Sequence, residues 1–253
     1  MGRIYAMSDI HGYYDSMEKN LRKIDLENKG NKLIFCGDYI GYGPESSKVL
    51  YRIKKLMENY SGQVAALKGN HETMFLEFLE AKENDVRNIE WIGADKDFST
   101  INTFISEETK DKIYKIKLEH YNPIEVGFKI SKLIKDDIKT NHKELINWLK
   151  SLPLYYEAEK QIFVHAGIDE EAGDWWQYGT PDEMFVMKYP PTFGKFYKDI
   201  IAGHVGTNSL KNEEGFSGVY WDGENHFYID GTVVISGNIP LLIYDIDTGQ
   251  YIY

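Results

Sequence analysis

Six side chains that can bind a metal ion follow short apolar segments of this sequence. They are Asp9, His11, Asp38, Asn70, His165 and His204. Taken singly, an Asp or Asn in such a place more often caps a helix or makes a turn. Taken together, five segment ends each deliver an oxygen or imidazole group, and four of the chain's seven histidines lie at those ends. The joint pattern favours one metal centre over six unrelated turns.

The types of these side chains indicate which metals they would bind. Two divalent cations roughly 3.5–4 Å apart repel one another and need a bridging anion, and Asp38 is the predicted bridge. Three imidazoles mixed with carboxylates suit Mn, Fe or Zn, whereas a shell of oxygens alone would suit Mg or Ca. The neutral amide of Asn70 adds a ligand without adding charge, so the cations stay electropositive enough to bind a phosphoryl group. We therefore predict two divalent transition-metal ions, with Mn as the first choice and Fe or Zn as alternatives.

The elements that position these side chains repeat one theme along the chain. Five apolar strands are predicted, and each ends in a polar turn: residues 4–7, 32–36, 63–67, 161–164 and 199–202. Segments with helical periodicity follow the first two strands, at residues 14–24 and from about 44 to 59. In open α/β sheets the carboxyl ends of the strands face the ligand crevice. The sequence therefore predicts an α/β fold in which the polar clusters converge.

The rest of the chain carries no chemical motif. Residues 81–149 are polar, rich in Lys and Glu and mostly helical in pattern, which predicts a helical insertion or cap. Residues 219–253 alternate in short runs separated by turn signals such as Asp222-Gly223, which predicts a series of hairpins. With 253 residues and no internal repeat, the chain is expected to form one domain with this insertion.

Composition excludes several classes of partner. The net charge of -11 repels nucleic acid and anionic membrane surfaces, so we expect neither as a partner. The single Cys36 lies in an apolar run, so no intrachain disulfide is possible and a reducing compartment is expected. No run approaches the roughly 20 apolar residues of a membrane span. We therefore expect a cytoplasmic protein, and the sequence leaves its oligomeric state open.

Five motifs in this order resemble those of the calcineurin-like metallophosphoesterases. They are Ser8-Asp9-Ile10-His11-Gly12, Gly37-Asp38-Tyr39, Gly69-Asn70-His71-Glu72, His165-Ala166-Gly167 and Gly203-His204. The similarity spans nearly the whole chain, and the nearest branch looks like the phosphoprotein phosphatases in their bacterial and phage form. The first and third motifs are specific in combination, whereas the last two would be weak alone. The resemblance implies an αββα sandwich with mixed central sheets.

The same resemblance implies roles for individual residues. It gives two ligand sets that share one carboxylate: Asp9, His11 and Asp38 for the first metal, and Asp38, Asn70, His165 and His204 for the second. His71 would be the general acid that protonates the leaving oxygen while a metal-bridging hydroxide attacks phosphorus in line. In the broader superfamily a second His follows the last Gly-His by two residues. Gly206 occupies that position here, which favours the phosphatase branch.

The sequence departs from the phosphatase pattern in its phosphate-binding residues. Gly41-Tyr42 stand where that branch has Asp-Arg, so the carboxylate that would orient His71 and one Arg are both missing. Lys68 replaces the Arg before the third motif, and Lys188 stands where a substrate Arg is expected. A lysine cannot reproduce the planar fork of an arginine. We therefore expect the metals, Lys188, and either Tyr42 or a backbone amide to hold the phosphate.

Five further residues have an interpretation that the sequence leaves open. Asp230 is either a carboxylate behind a metal-bound His or a plain turn residue. His226 has no partner that the sequence identifies. Trp175-Trp176 and Tyr178 either line a substrate cleft or belong to the core.

The leading functional interpretation is a metal-dependent phosphoesterase that hydrolyses a phosphomonoester. By resemblance, the substrate would be a protein phosphorylated on serine or threonine. A symmetrical diadenosine tetraphosphatase or a phosphodiesterase is the alternative, because these nucleotide hydrolases share the motif order, and the substrate would then be a small phosphoester or nucleotide. A metal-binding scaffold without catalysis is a third hypothesis. Fold and motif do not choose among them, since function lies in the particular pocket.

Overall fold

The first strand–turn–helix units build one half of a mixed sheet. In the computed structural model, which describes residues 2–95, 98–118 and 122–253, the parallel strands are β1 (Arg3–Met7), β2 (Lys32–Phe35) and β3 (Val64–Ala66). The helices that follow them are α1 (Tyr14–Leu21), α2 (Ser46–Asn59) and α3 (Asn70–Glu80). The C-terminal strands β9 (Leu242–Asp245) and β10 (Gln250–Ile252) add to β1 in antiparallel fashion, which gives the order β10-β9-β1-β2-β3.

A second mixed sheet carries the two later motifs. Its strands are β4 (Tyr155–Glu157), β5 (Gln161–Val164), β6 (Asp199–Gly206), β7 (Tyr220–Trp221) and β8 (His226–Asp230). The order is β4-β5-β6-β8-β7, with a parallel centre of β5, β6 and β8 and an antiparallel strand at each edge.

Apolar side chains from the two sheets form one shared layer. Ile34 and Cys36 of the first sheet belong to the same buried cluster as Phe163, Ile201 and Phe227 of the second. Both sheets bury their facing sides, and helices cover their outer sides. The predicted α/β sandwich with mixed central sheets is therefore confirmed.

Helices occupy the predicted insertion and cover the first sheet. They are α4 (Arg87–Ala94), α5 (Glu107–Leu118), α6 (Pro123–Asn141) and α7 (Lys143–Ser151). The start of α6 has a local cause, since the Asn122 side chain accepts a hydrogen bond from Ile124 N and Pro123 fits the first helical turn. The ring of Trp91 in α4 stacks on Phe78 of α3 at 4.5 Å, which fixes the insertion against the sheet's own helices. No helix of the described ranges is long and apolar enough to cross a membrane.

Two differences from the predicted boundaries lie next to the site. Helix α2 begins at Ser46 rather than at Pro44, because Gly43 N and Glu45 N donate to the carbonyls of the loop at residues 11–12 and hold this segment out of the helix. Strand β6 continues through His204 to Gly206, with a register shift after Ala202.

The C-terminal turn signals also divide into two kinds. Residues 222–225 and 246–249 join antiparallel strands, as predicted. The signals at 230–231 and 237–238 instead flank the short helix α11 (Val233–Ser236), which lies where the chain passes from one sheet to the other. The remaining short helices are α8 (Trp176–Gly179), α9 (Asp182–Met187) and α10 (Thr207–Lys211).

Candidate metal centre

The loops after β1 and β2 bring the first group of predicted ligands together. Asp9 N donates to Gly37 O at 3.1 Å and His11 N donates to Asp38 O at 2.9 Å, so the two loops run side by side. Nε2 of His11 then lies 3.7 Å from Oδ1 of Asp9 and 3.8 Å from Oδ2 of Asp38. His11 therefore lies between two carboxylates that come from two strand ends.

The second group gathers on the other side of Asp38. Oδ1 of Asn70, the first residue of α3, lies 2.8 Å from Nε2 of His165 and 3.1 Å from Nδ1 of His204. Nε2 of His165 also lies 3.4 Å from Oδ1 of Asp38. The backbone N of His204 donates to Oδ2 of Asp9 at 3.1 Å and ties the second sheet to the first. Asp38 thus belongs to both groups. We call the six residues Asp9, His11, Asp38, Asn70, His165 and His204 the metal cluster.

Strained backbone marks the same residues. Asp9, His11, Asp38 and His204 all have a positive φ, between 47° and 64°, a region that residues with a side chain rarely occupy. Such conformations cost of order 1–3 kcal/mol each and persist where the surrounding structure imposes them. The side chains are therefore held in the cluster at an energetic cost.

Two glycines without side chains let the loops approach each other closely. A Cβ at Gly69 would collide with the Asp38 carboxylate, and a Cβ at Gly203 would collide with the side chains of Ser8 and Asp9. These two positions need glycine for space, which explains why Gly precedes Asn70 and His204 in the motifs.

Glu72 organises the cluster from behind. Its buried carboxylate accepts hydrogen bonds from the backbone N–H groups of Asp38 (2.8 Å), Tyr39 (2.8 Å), Ile40 (3.2 Å) and Gly69 (3.0 Å). One side chain of α3 thereby holds the loop after β2 against the start of its own helix. No role of Glu72 was predicted from the sequence, although its place in the third motif was the available signal.

Backbone carbonyls orient two of the imidazoles. Nδ1 of His11 donates to Ile40 O at 3.0 Å, and Nδ1 of His165 donates to Cys36 O at 2.9 Å. Each Nε2 is therefore the atom left to face the cluster, which is the usual arrangement of a metal-bound histidine. Carbonyl partners of this kind carry no mark in a sequence, so the sequence analysis could not identify them.

The charges within the cluster attract cations. Burial alone would disfavour the charged form of Asp38, but His165, His71 and His11 outweigh it and hold the pKa of this carboxyl well below its usual range. Burial likewise lowers the pKa of His165, yet the charges of Asp38 and Asp9 raise its net pKa to about 10. The Asp38 carboxylate thus remains negative and stabilises positive charge next to it.

The donor set fits two divalent ions. Donor atoms of Asp38, His165 and His204 lie within 4.8 Å of one another, as do those of His11, Asp38 and His71. Ligands about 2.1 Å from a common ion stand about 3 Å or a little more from each other, close to the separations between 2.8 and 3.8 Å given above. The mixture of imidazole, carboxylate and amide suits Mn, Fe or Zn. The ligand roles themselves stay predictions.

His71 and Tyr42 lie at the edge of the cluster. Nε2 of His71 is 3.9 Å from Oδ2 of Asp38, and its backbone N donates to Oδ1 of Asp38 at 3.0 Å. The Tyr42 ring is half exposed and contacts both His11 (centroids 5.0 Å apart) and His71 (5.4 Å). Tyr42 is therefore placed where a bound phosphoester could reach it.

Two clefts open beside the cluster and share Asn70 and Met74. The first, which we call the His71 cleft, has a volume of about 300 Å³. Its lining comprises Gly41, Tyr42, Asn70, His71, Met74, Trp91, Ala94, Asp95, Ser99 and Thr100. The second, of about 570 Å³, lies between α3 and α9 and includes Lys68, Glu77, Asp182 and Glu183. Substrate can therefore approach the cluster from either side of Met74.

Lys188 belongs to a different polar group. Its ammonium donates to Ile168 O and Thr192 Oγ1 and pairs with Glu170 at 3.3 Å, while its stem passes over Gly167. Lys188 therefore lies beside the fourth motif, but its charge is already engaged. Its predicted role in binding substrate stays a prediction.

His226 has the partners that the sequence analysis could not identify. Its fully buried ring lies between two carboxylates, with Nδ1 3.0 Å from Oδ2 of Asp222 and Nε2 3.1 Å from Oε2 of Glu170. Because Glu170 also pairs with Lys188 and Thr192, these residues form one network. We call Glu170, Lys188, Thr192, Asp222 and His226 the His226 network. Glu170 lies 56 residues from His226, a separation that local sequence patterns do not bridge.

The other residues whose interpretation the sequence left open are Asp230 and the aromatic residues after the fourth motif. Asp230 accepts a hydrogen bond from Thr232 N at 2.7 Å, and among the described residues no hydrogen bond links it to a histidine of the cluster. Burial and the charge of Asp9 raise the pKa of Asp230 to about 7. Trp176 is a core residue, whereas Trp175 and Tyr178 are 71% and 83% exposed and do not line either cleft.

Comparisons with known proteins agree with this fold. The model of the calcineurin-like phosphoesterase family matches residues 2–237, so the chain belongs to that family. It is 32% identical over 148 residues to a symmetrical bis(5'-nucleosyl)-tetraphosphatase of Wigglesworthia glossinidia brevipalpis, covering 58% of this chain and 52% of that protein. It is 30% identical over 137 residues to serine/threonine-protein phosphatase 2 of Escherichia coli K12, covering 54% of this chain and 55% of that protein. The chain spans about half the length of these curated relatives.

Solved structures extend the similarity of the fold to nearly the whole chain. A cold-active protein-tyrosine phosphatase from a psychrophilic Shewanella species superposes with a TM-score of 0.57 at 17% identity, over 99% of this chain and 79% of that one. A serine/threonine phosphatase from Saccharomyces cerevisiae gives a TM-score of 0.52 at 13% identity, over 98% of this chain and 76% of that one. At these identities the likeness concerns the fold alone.

Proposed function

We propose that this protein hydrolyses a phosphomonoester at a dinuclear metal centre. The observation that carries the proposal is the pair of donor groups that share Asp38, one completed by His11 and His71 and the other by His165 and His204, at the mouth of a cleft. Two-metal sites of this kind serve in-line displacement at phosphorus. Mn(II) is the first choice of metal, with Fe and Zn as alternatives, because the shell mixes imidazole with oxygen donors.

Different residues of the chain have different roles in this reaction. When bound, the cations supply Lewis acidity and an activated water. Asp38 joins the two donor groups, and the carbonyls of Ile40 and Cys36 keep His11 and His165 in the tautomer that presents Nε2. Glu72 fixes the loop that carries Asp38. His71 faces the His71 cleft, so the leaving group departs toward that side.

The charges of the clefts support a monoester over a longer phosphate chain. Among the described residues that line the two clefts beside the cluster, Lys68 is the one lysine or arginine, and Glu77, Asp182 and Glu183 lie near it. A tetraphosphate carries several negative charges that would need partners such as arginine forks. A monoester presents its phosphoryl group to the metals and requires fewer cations elsewhere. A protein phosphorylated on serine or threonine is the substrate class that the family resemblance suggests.

Hydrolysis of diadenosine tetraphosphate is the second candidate. The observation that favours it is the 32% identity to a protein with that name, slightly above the 30% identity to the named serine/threonine phosphatase. Both candidates require the same metal cluster, so they differ only in what the clefts accept. A scaffold that binds metal without catalysis is the remaining hypothesis.

One assay distinguishes these functions. Protein stripped of metal and reloaded with Mn(II) would be given p-nitrophenyl phosphate, bis-p-nitrophenyl phosphate, a phosphopeptide and diadenosine tetraphosphate. We expect Mn-dependent release of phosphate from the monoesters and its loss in Asp38→Asn. Preference for diadenosine tetraphosphate would select the second candidate. Two bound metals without turnover of any substrate would contradict both and support the scaffold.

A further inference from the structure

Among the described residues, the imidazole of His71 has no hydrogen-bonding partner that would hold it as a proton donor. Its Nε2 is 3.9 Å from the nearest Asp38 oxygen, and its other neighbours are the rings of His11 and Tyr42. Across residues 2–95, 98–118 and 122–253, no side chain or carbonyl hydrogen-bonds either ring nitrogen of His71. A histidine that hands over a proton normally has its second nitrogen bound to an acceptor, which fixes the tautomer and the ring.

Gly41 explains why this partner is missing. A Cβ at this position would lie 3.0 Å from Nδ1 of His71 and 2.7 Å from Nδ1 of His11, so position 41 adjoins both rings but offers them no side chain. Its φ of 141° also disfavours any residue with a Cβ. Gly41 O accepts hydrogen bonds from Ser99 and Thr100 of the insertion, which holds the segment in place.

Another carboxylate in the wall of the His71 cleft is already engaged. Asp95 lines the His71 cleft, but its oxygens accept hydrogen bonds from Ser99 Oγ (3.0 Å), Thr100 N (2.9 Å) and Ile101 N (2.9 Å). These bonds close the turn after α4 and direct the carboxylate toward the backbone. Asp95 therefore organises the wall of the cleft and does not orient His71.

We infer that the preferred substrate is an aryl phosphate monoester, whose leaving oxygen needs no proton to depart; this inference rests on the proposed phosphomonoesterase function. Attack by water oxygen forms one P–O bond, and the P–O bond to the aryl group breaks with its electron pair on the phenolate. The attacking water releases its proton to solvent, and the phenolate takes one up there. A phenol has a pKa of about 10, whereas an aliphatic alkoxide is far more basic and depends on an acid. Without an oriented acid, only the first class leaves readily.

The shape of the His71 cleft suits an aromatic leaving group. Trp91 stacks on Phe78 at 4.5 Å with 18° between the rings and contacts Phe75 at 5.4 Å, so its position is fixed from one side. Trp91, Tyr42 and Met74 line the cleft beside His71. A phenyl ring there would lose apolar surface to these side chains, and aromatic contacts of this kind have a defined geometry.

A leaving-group series on the Mn(II)-loaded protein tests the inference. The substrates would be phenyl phosphates with phenols of graded pKa, a phosphotyrosine peptide, and a phosphoserine peptide of the same sequence. General acids contribute about 10²–10⁴-fold, so we expect kcat/KM for the phosphotyrosine peptide to exceed that for the phosphoserine peptide by at least about 100-fold. A steep fall of kcat with the pKa of the phenol is also expected. Similar kcat/KM for both peptides would overturn the inference.

His71→Asn gives the second readout. If His71 is not an effective acid, the substitution lowers kcat by a similar factor for every leaving group, because it then acts only on the shape and charge of the site. A loss that grows with the basicity of the leaving group would identify His71 as the acid and contradict the inference. Either outcome leaves phosphomonoesterase activity in place, whereas no turnover of any monoester by the Mn-loaded protein would contradict the proposed function itself.

Trp91→Ala tests the cleft, with Trp175→Ala as the matched control. Loss of one aromatic contact should raise KM for phenyl phosphates by roughly three- to tenfold and leave KM for the phosphoserine peptide within about twofold. Trp175 is exposed and lines neither cleft, so its removal should change neither value. Equal effects of Trp91→Ala on aryl and alkyl substrates would show that the leaving group does not bind in this cleft.

Discussion

The metal cluster and the His226 network are built from the same residue types but pair them differently. In the network both ring nitrogens of His226 reach a carboxylate at 3.0–3.1 Å, and Asp222 accepts three backbone N–H bonds in addition. In the metal cluster Nε2 of His11 stays 3.7–3.8 Å from its carboxylates, and the rings of His165 and His204 share one oxygen of Asn70. The His226 network completes its own hydrogen bonds, whereas the side chains of the metal cluster are spaced to bind an ion between them.

Backbone conformation draws the same distinction. Four members of the metal cluster have a positive φ, whereas none of the five residues of the His226 network does. Strain of this kind is retained at functional sites, while a network whose hydrogen bonds are complete mainly contributes to rigidity. The difference indicates that backbone strain and incomplete hydrogen bonding distinguish a functional group of histidines and carboxylates from a structural one better than composition does.

Asp38→Asn should give the largest effect, because it removes the carboxylate that the two donor groups share. Loss of an outer-shell partner typically costs 10–100-fold in activity or metal affinity, so a direct bridge should cost more than about 100-fold in kcat. Titration calorimetry should show fewer than two Mn(II) bound with high affinity. Full stoichiometry and normal turnover would show that Asp38 is not the bridge.

Glu72→Gln should come next, with Glu80→Gln on the same helix as control. An amide presents N–H groups to the backbone donors that the Glu72 carboxylate now satisfies, so the loop carrying Asp38 should move. We expect Mn(II) affinity to fall by about 10–100-fold. Glu80 is exposed and pairs with Lys150, so its substitution should leave the affinity unchanged. An unaltered Mn(II) affinity in Glu72→Gln would assign that carboxylate to stability alone.

His226→Gln probes the opposite group. It removes the link between two carboxylates and should lower the free energy of unfolding by about 1–3 kcal/mol. Because the network lies outside the metal cluster, kcat on p-nitrophenyl phosphate should stay within about twofold. Denaturant unfolding and steady-state assays on the same preparation provide the measurement. Reduced turnover at unchanged stability would show that the His226 network contributes to catalysis, and would contradict the distinction between the two groups.

Lys188→Ala decides to which group this lysine contributes. As a substrate-binding residue it would lower kcat/KM on a small phosphoester, by about tenfold for one lost charged contact. As a member of the His226 network alone, it would lower stability without changing kcat/KM. Steady-state kinetics combined with thermal unfolding separate these outcomes, and an unchanged kcat/KM would reject the predicted role in substrate binding.

The pH dependence of stability should show the smallest effect. Burial lowers the pKa of His226, but Glu170 and Asp222 outweigh burial and raise its net pKa above the ordinary value near 6.5. A raised pKa stabilises the fold fully below about 6.5 and loses that contribution as pH rises through the folded value. The advantage of the wild type over His226→Gln in Tm should therefore shrink from about pH 6 to pH 9. A constant difference would mean that His226 does not change charge in this range.

Sequence patterns predicted the parts of the fold that local rules control. Strands such as Gln161–Val164 have the predicted bounds, because a short apolar run between turn signals has few other conformations. The convergence of the strand ends followed from sheet architecture. The Asp38 region could be predicted in this way, since its motif lies at the end of a single strand.

Contacts between distant segments could not be predicted. The pairing of His226 with Glu170 joins residues far apart in the chain, and the carbonyls of Cys36 and Ile40 have no side-chain identity. The role of Glu72 was also missed, because its four partners are backbone N–H groups. The extension of β6 through His204 depends on a register shift that only the neighbouring strand reveals.

The tight packing of Gly69 and Gly203 against Asp38 and Asp9 has a consequence for how this protein can change over generations. Almost any substitution at either glycine would displace Asp38 or Asp9, so the interior of the cluster is closed to gradual variation. The wall of the His71 cleft is supplied partly by the insertion, through Trp91, and can vary without moving those loops. New substrates would then be acquired by exchanging that wall, which makes α4 the place to randomise in a directed-evolution library.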